Sequence, residues 1–250
     1  KFHSGEVIGK EVGVSRTAIS EYIKAIQALG LDVFRVTGKG YRLRAPLQLI
    51  HPSVTENLAC ERVVTSTNDL LRQRLREHAQ LPAGYAIVAE AQTEGRGRRG
   101  KNWFSPFGSN LYISIYWPLE RGMTAAMGLS IAIGTLIAEV LERCGIPHLA
   151  VKWPNDVLAQ GRKLAGVLIE LEGNAVDSAH AIIGVGINIE MPKHLDTPID
   201  QPWTDLNSEL DERVDRNALV ADLVSAFRDG LSLFEHEGLA AFLPRWQKFD

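Results

Sequence analysis

A chain of 250 residues with 45% hydrophobic content is long enough to bury a sizeable core, as one large domain or two unequal ones. Its two cysteines, Cys60 and Cys144, stand too far apart for a disulfide framework or a metal spacing, which points to a reducing cytoplasm. The net charge of −3 hides an asymmetry: residues 1–44 hold eight Lys/Arg against four Asp/Glu, a net +4, so the remainder carries −7 and the two parts are expected to meet different partners. The opening residues read as part of a folded domain rather than a secretory segment.

Ser4 to Val12 reads as a short helix ended by Gly13. A second helix begins at Ser15, a good N-cap, and carries Ile19, Ile23, Ile26 and Leu29 at helical spacing up to Gly30. Helix, glycine-containing turn, helix is the helix-turn-helix pattern. Residues 32–37 and 41–44 then alternate like strands around Gly38-Lys39-Gly40, a hairpin with a cationic tip that makes the unit a winged helix. The second helix is expected in a major groove, with Ser15, Arg16, Thr17 and Ser20 near base edges or phosphates and Lys39 on backbone phosphate. A helical module used only for packing or dimerisation is the plainer alternative; the basic balance favours nucleic acid. A winged helix has one more helix ahead of this pair, so the chain is expected to start inside the domain. Residues 45–57, with Pro46 and Pro52, read as a linker, which divides the chain into 1–44, 45–57 and 58–250.

Past it, β-branched strands alternate with helices. Val63-Val64 leads into Thr65-Ser66-Thr67-Asn68-Asp69 and a helix from about Leu70 to His78; Ser66, Thr67 and Asn68 serve either as its cap or as donors and acceptors for a neutral polar ligand head. The strand Tyr85–Glu90 ends at Gln92. There follows Gly95-Arg-Gly-Arg-Arg-Gly100-Lys101-Asn102-Trp103, three glycines and four cations in an open loop suited to an anion. Gly95, Gly97 and Gly100 match a dinucleotide-binding fingerprint, and Gly100-Lys101 falls one residue short of a phosphate loop, but both motifs need a helix directly afterwards. Here a strand follows, Leu111–Trp117. The most apolar stretch, 125–141, is broken by glycines, Ser130 and Glu139, and reads as a buried core helix, not a membrane span.

Ala150–Leu158, a turn at Gln160-Gly161 and Lys163–Glu170 read as one hairpin, with Lys152 and Lys163 flanking Trp153-Pro154-Asn155-Asp156. Gly184 and Gly186 sit at alternate positions of an apolar strand, which makes sense where something must lie flat against it; a bulge or a tight helix crossing is the plainer alternative. Leu219, Leu223, Phe227, Leu231 and Phe234 mark an amphipathic helix over 215–235, and 238–249 reads as another; both are scaffold. Residues 190–214 carry no signal.

Thr65-Ser-Thr-Asn68, Gly95-Arg-Gly-Arg-Arg-Gly100, Lys152-Trp-Pro-Asn-Asp156, Arg162-Lys-Leu-Ala-Gly166 and Gly184-Val-Gly-Ile-Asn188 stand in the order seen in biotin–protein ligases. With the winged helix, the chain resembles the bifunctional bacterial form that is also the biotin operon repressor. The resemblance implies an α+β protein: a winged helix-turn-helix, then an α/β catalytic domain with a mixed sheet, related to lipoate ligases and class II aminoacyl-tRNA synthetases. An SH3-like barrel follows that domain in the family, and the chain stops at about where it would begin. The implied reaction joins biotin to AMP, giving biotinyl-5'-AMP and pyrophosphate, then passes biotin to a lysine of the biotin carboxyl carrier protein. By motif match Ser66, Thr67, Asn68, Gln92 and Gly166 bind biotin; Arg96 and Arg98 close over its carboxylate and the phosphate, with Gly97 allowing close approach; Lys163 neutralises the reacting charges. Trp103 and Asn188 flank adenine, and Lys152 and Asn155 hold phosphate oxygens. Mg²⁺ is expected with ATP, Asp156 being a weak metal-ligand candidate. A mobile empty loop over Gly95–Lys101, operator DNA, a homodimer promoted by biotinyl-AMP and no membrane complete what is implied. A ligand-sensing repressor without ligase activity and a lipoate ligase are the alternatives.

Overall fold

In a computed structural model of the chain, residues 1–77, 81–176, 178–192 and 199–250 are described. Helices α1 (Gly5–Val12) and α2 (Arg16–Ala28) form the helix-turn-helix. Each starts on a serine: Ser4 Oγ accepts from Val7 N and Ser15 Oγ from Ala18 N, both at 3.1 Å, contacts worth about 1 kcal/mol each. The wing is a two-stranded antiparallel ribbon, β1 (Val33–Val36) and β2 (Gly40–Leu43). Residue 3 joins its edge, His3 N donating to Tyr41 O at 2.9 Å and Tyr41 N to His3 O at 2.8 Å. That approach requires glycine at 40, where φ is +101° and a Cβ would stand 2.0 Å from His3 O.

The stretch 45–57 is not a free linker. Ile50 is 2% exposed, and its N–H donates to Glu90 Oε1 at 2.7 Å. Arg216, 4% exposed, donates to Glu90 Oε2 at 2.8 Å, to Asn110 O at 2.7 Å and to Gln48 O. A buried ion pair needs further hydrogen bonds to offset its desolvation, and the backbone of this strap supplies them. Pro46 lies outside regular structure as expected, whereas Pro52 opens a short 3-10 helix, Pro52–Val54; neither proline carried information about packing. A further bond, Phe107 N to Leu29 O at 2.7 Å, ties the end of α2 to the body.

The body is a seven-stranded sheet in the order β3-β4-β5-β9-β8-β7-β6: β3 (Leu58–Val64), β4 (Ala86–Gln92), β5 (Leu111–Leu119), β6 (Leu149–Lys152), β7 (Asp156–Ala159), β8 (Arg162–Gly173) and β9 (Ala179–Ile187). Only β3 and β4 run parallel, so the sheet is mixed, and their crossover is α3 (Thr67–Glu77). Leu71 of α3 packs with Ile87 and Ile182 on one face, while α4 (Leu129–Arg143) and α6 (Arg216–Glu237) cover the other. Strand β4 is covered on both sides, which its unbroken run Ala86–Ala91 of mostly apolar residues fits. Short helices α5 (Leu206–Glu209) and α7 (Leu243–Trp246) complete the fold.

Three sequence expectations need correction. The arm 150–158 is two strands, the edge strand β6 and its neighbour β7, paired Val151 to Val157 around a turn at Trp153-Pro154-Asn155, where the proline has no N–H to give to a ladder. The helix expected over 238–249 is a 3-10 turn, Gly238–Ala241, followed by α7 with Pro244 at its start, for the same missing donor. Helix α3 begins at Thr67 rather than Leu70; the expected end, His78, lies outside the described residues. Among the described residues no helix is long and apolar enough to cross a membrane.

Candidate active site

The floor of the site is made by β5, β9 and β8, in whose register Gly186 stands directly opposite both Tyr112 and Gly166, and Gly184 opposite Ser114 and Leu168. Glycine here serves close approach. A Cβ on Gly186 would stand 2.3 Å from Trp103 Cε2, one on Gly166 2.9 Å from Trp103 Cζ3, and one on Gly184 2.5 Å from Asn68 Oδ1. The indole of Trp103 therefore lies against two facing glycines, Gly186 and Gly166; of the alternately spaced pair only Gly186 takes it, and Gly184 instead admits Asn68 from the start of α3. The Trp103 Nε1–H is buried without a partner, a donor free for a ligand acceptor.

The polar head cluster forms where the start of α3 meets β4 and β5. Ser66, Thr67 and Asn68 are all buried. Thr67 N donates to Gln92 Oε1 at 2.9 Å, and Gln92 Nε2 to Ser105 Oγ at 3.0 Å. Ser114 Oγ lies 2.7 Å from Thr67 Oγ1 and 2.5 Å from Asn68 Oδ1, and Asn68 Nδ2 donates to Glu170 Oε2 at 2.7 Å. Ser66 starts α3 through its carbonyl, which accepts from Leu70 N, so the cap and cluster readings both describe this segment. Ser114 and Glu170 escaped the sequence reading. The signal for Ser114 was the one small polar residue in the otherwise apolar and aromatic run Leu111–Ile115.

Lys163 lies near the start of β8. Its Nζ sits 2.8 Å from Asp156 Oδ1 and 5.3 Å from the centre of the Trp103 ring. Opposite it, Arg98 Nη1 donates to Asn155 Oδ1 at 3.0 Å, and Asn155 Nδ2 to Val167 O at 3.0 Å. Asp156 is thus occupied by Lys163, and among the described residues no group of three or more His, Cys, Asp or Glu could hold a metal ion.

The glycine–arginine segment, expected to be open, is folded as a small hairpin. Trp103 N donates to Gly95 O at 2.8 Å and Gly97 N to Lys101 O at 2.7 Å, with the chain turning at Arg98–Gly100. The next regular element is β5, so the helix that a dinucleotide or phosphate loop would need is missing here. Arg99 holds φ +55°, a left-handed conformation costing a non-glycine residue about 1 kcal/mol. Arg96 was expected to face carboxylate and phosphate. Its guanidinium instead makes a two-pronged contact with Asp69, Nη1 to Oδ2 and Nη2 to Oδ1 both at 2.8 Å.

Together these elements enclose a cleft of about 1230 Å³, lined by Ser66–Asn68, Gln92, the loop with Gly97, Trp153–Asp156, Lys163 and the three floor glycines. Residues 27–30, from the end of α2, line it too. Two predicted site residues stay outside. Lys152 ends β6 exposed, while its neighbours Trp153–Asp156 line the cleft. Asn188 is 5% exposed, and its amide donates to Thr204 O at 3.0 Å and Lys163 O at 3.5 Å, which holds residues 202–204 beside Lys163. A second cavity of about 400 Å³ lies between the amino-terminal module and the body, away from Lys163. On the module, Arg16 and Thr17 are exposed at the start of α2, Ser20 is half-buried one turn on, and Lys39 is exposed at the wing tip; Ser15 is the cap.

A mixed sheet with a cation-flanked, glycine-floored cleft, joined to a helix-turn-helix, makes this a two-part protein: a body that holds the cleft and an amino-terminal module. Residues 60–188 match the biotin/lipoate A/B protein ligase family and residues 1–42 the HTH domain. The bifunctional ligase/repressor BirA of Salmonella typhimurium is 48% identical over 256 residues, covering 100% of this chain and 79% of that protein. Its Escherichia coli counterpart is 46% identical, with 100% and 78% covered. The biotin protein ligase from Aquifex aeolicus in complex with biotin and ATP superposes with a TM-score of 0.62 at 28% identity, over 78% of each chain. The Leishmania major enzyme in complex with biotinyl-5-AMP gives 0.63 at 27%, over 78% of this chain and 81% of that one. The chain belongs to the biotin/lipoate A/B protein ligase family, in the two-part organisation of the bifunctional ligase/repressors.

Proposed function

We propose that this chain is an ATP-dependent biotin–protein ligase and a biotin-responsive repressor. In the first step a biotin carboxylate oxygen bonds to the α-phosphorus of ATP as the bond to pyrophosphate breaks, leaving biotinyl-5'-AMP. In the second, a lysine amine of the biotin carboxyl carrier protein attacks the acyl carbon, AMP leaves and the amine gives up a proton. Two anions meet in the first step, so the enzyme's task is to position them and to supply positive charge where they react.

The observation that carries this reading is the convergence of Lys163 and Arg98 on one cleft whose far end is the Ser66–Asn68/Gln92 cluster. In it the neutral ureido head meets the cluster, and the carboxylate reaches Lys163. Trp103, seated on the floor glycines, lies against a flat group of the ligand, and Arg98 with Asn155 takes phosphate oxygens. Mg²⁺ would accompany ATP and would supply positive charge to its phosphates beside Arg98 and Asn155. The closed hairpin keeps water from a hydrolysable mixed anhydride. On the other side, α2 and the wing meet operator DNA through Arg16, Thr17, Ser20 and Lys39, biotinyl-AMP promotes a homodimer that fits a two-fold operator, and the protein works in the cytoplasm. The test is to supply biotin, ATP and Mg²⁺, follow pyrophosphate release and look by native mass spectrometry for retained biotinyl-adenylate. Release with lipoate alone would move the assignment to lipoate ligation, and ligand binding without release would leave a sensor that lacks chemistry.

A further inference from the structure

The polar head cluster is tied to a carboxylate that the proposed reaction leaves unused. Glu170, on β8, accepts from Asn68 Nδ2 through Oε2 at 2.7 Å, and the same oxygen stands 3.0 Å from Arg72 Nη2. Arg72, one turn along α3, is itself held by Asp69 at 2.6 Å and by Glu172 at 2.5 Å. Burial works against the charge of Arg72, but its contacts with Glu172 and Glu170 outweigh that and raise its pKa. On the other side of the Asn68 amide, Oδ1 lies 2.5 Å from Ser114 Oγ, which in turn lies 2.7 Å from Thr67 Oγ1. Asn68, Ser114 and Thr67 are all buried, so the hydrogens along this chain are shared among its own members and the ligand.

We propose that Glu170 is a positioning residue that fixes the donor–acceptor order of the head cluster and thereby selects a ligand head that brings N–H donors. A carboxylate only accepts, so Asn68 turns its NH2 to Glu170 and its oxygen to Ser114. Ser114 has one hydrogen, and it goes to that oxygen. The hydrogen in the Ser114–Thr67 contact then comes from Thr67, whose oxygen keeps lone pairs but has no hydrogen left to give. Gln92 Oε1 already accepts from Thr67 N at 2.9 Å and does not need it. Thr67 lines the cleft, and what its side chain offers there is an acceptor. The cyclic urea of biotin supplies N–H groups to such an acceptor; the disulfide ring of lipoate supplies none. The amide and the hydroxyls could each run either way, and a reversed Asn68 amide would reverse every link. The carboxylate cannot run both ways, and Arg72 keeps it in place.

The assignment rests on the ligase reading, since it takes biotin as the occupant of the cluster. The test is titration calorimetry with biotin alone, with thermal melts alongside. Glu170→Ala frees the amide and should weaken biotin binding about tenfold, the scale of one misdirected buried hydrogen bond. In turnover the loss should fall on the KM for biotin rather than on kcat, because Glu170 acts through Asn68, at the end of the cleft away from Lys163. Asn68→Asp sets two carboxylates face to face and should cost at least as much. Adding Glu170→Gln to it exchanges donor and acceptor across the same contact and leaves an acceptor towards Ser114. The double variant should therefore return to within about threefold of wild type, a rescue that a purely structural role would not give. Wild-type affinity in Glu170→Ala, or no rescue in the double variant, would overturn the assignment. If Glu170→Ala lost its cooperative melt, the isosteric pair would carry the test. If wild type did not bind biotin at all, the ligase reading would fall and this assignment with it; biotin bound by wild type without rescue in the pair would sink this assignment alone.

Discussion

Gly186→Ala tests the geometry of the floor most directly. The added methyl would stand 2.3 Å from Trp103 Cε2 and 2.6 Å from both Cζ2 and Nε1. A fused ring cannot bend away, so either the indole tilts off the sheet or the strands part. Overpacking of this kind costs about 1–3 kcal/mol. Gly186 has no left-handed backbone, and alanine in a strand recovers about 0.5–1 kcal/mol of glycine's entropic disadvantage, so a net loss of about 1–2 kcal/mol is expected. The assay is equilibrium urea unfolding followed by far-ultraviolet circular dichroism, in a double-mutant cycle with Trp103→Ala. Without the indole the three nearest contacts of the methyl are gone, and Gly186→Ala should become neutral or slightly stabilising, a coupling of about 1–3 kcal/mol. Gly166→Ala, with its nearest indole contact at 2.9 Å, should couple more weakly. A cost for Gly186→Ala that is the same with and without Trp103 would refute the idea that the floor exists to seat this ring.

Lys163→Ala should leave the melting temperature near wild type while slowing pyrophosphate release on the order of 10²–10³, a few kcal/mol of transition-state stabilisation; near-normal release would remove it from the mechanism. Arg98→Gly should still form adenylate but lose it faster, read as dissociation of biotinyl-adenylate and stray labelling of bystander lysines, and unchanged retention would contradict its grip across the cleft to Asn155. Replacing Arg16 and Lys39 together with Ala should weaken DNA binding across sequences and flatten its salt dependence in gel shifts at two salt concentrations, leaving biotinylation untouched. Equal binding at both salts would sink the winged-helix assignment. Burial, aided by Glu90, raises the Cys60 thiol to about 11 from 9.0, so the thiolate is scarce at pH 8 and alkylation there should run about a hundredfold slower than at a free cysteine, gaining as pH rises towards 11. Alkylation of Cys60 at the free-thiol rate would show it to be open to water.

What the sequence determined alone was whatever depends on neighbours along the chain. Ser4 and Ser15 cap helices whose donors lie three residues on, and the apolar spacing from Leu219 to Phe234 sets the buried stripe of α6. The refusal of a helix after Gly100 ruled out a nucleotide fingerprint, and the alternation of Gly184 and Gly186 announced close approach, made by Trp103 at Gly186 and by Asn68 of α3 at Gly184. Motif order pointed to Lys163, Arg98, Trp103 and the Ser66–Asn68 cluster, which the fold brings to one cleft. Tertiary structure decided the pairings between distant segments. Nothing local says that the glycines' partner is Trp103, because that follows from the register that sets Gly166 opposite Gly186. Asp69 and Glu170 lie 27 and 74 residues from Arg96, and only the crossover through α3 and the central place of β8 bring the three together. Asn188 was read as facing the ligand, but the segment 202–204 folds over it and takes its amide. The strap at 45–57 looked loose because prolines and polar residues describe its own backbone, while its fixed position comes from the Glu90–Arg216 pair. Propensity and capping act over a few residues and are written there; a buried ion pair or a ring seated on a sheet exists only once the strands have chosen their register.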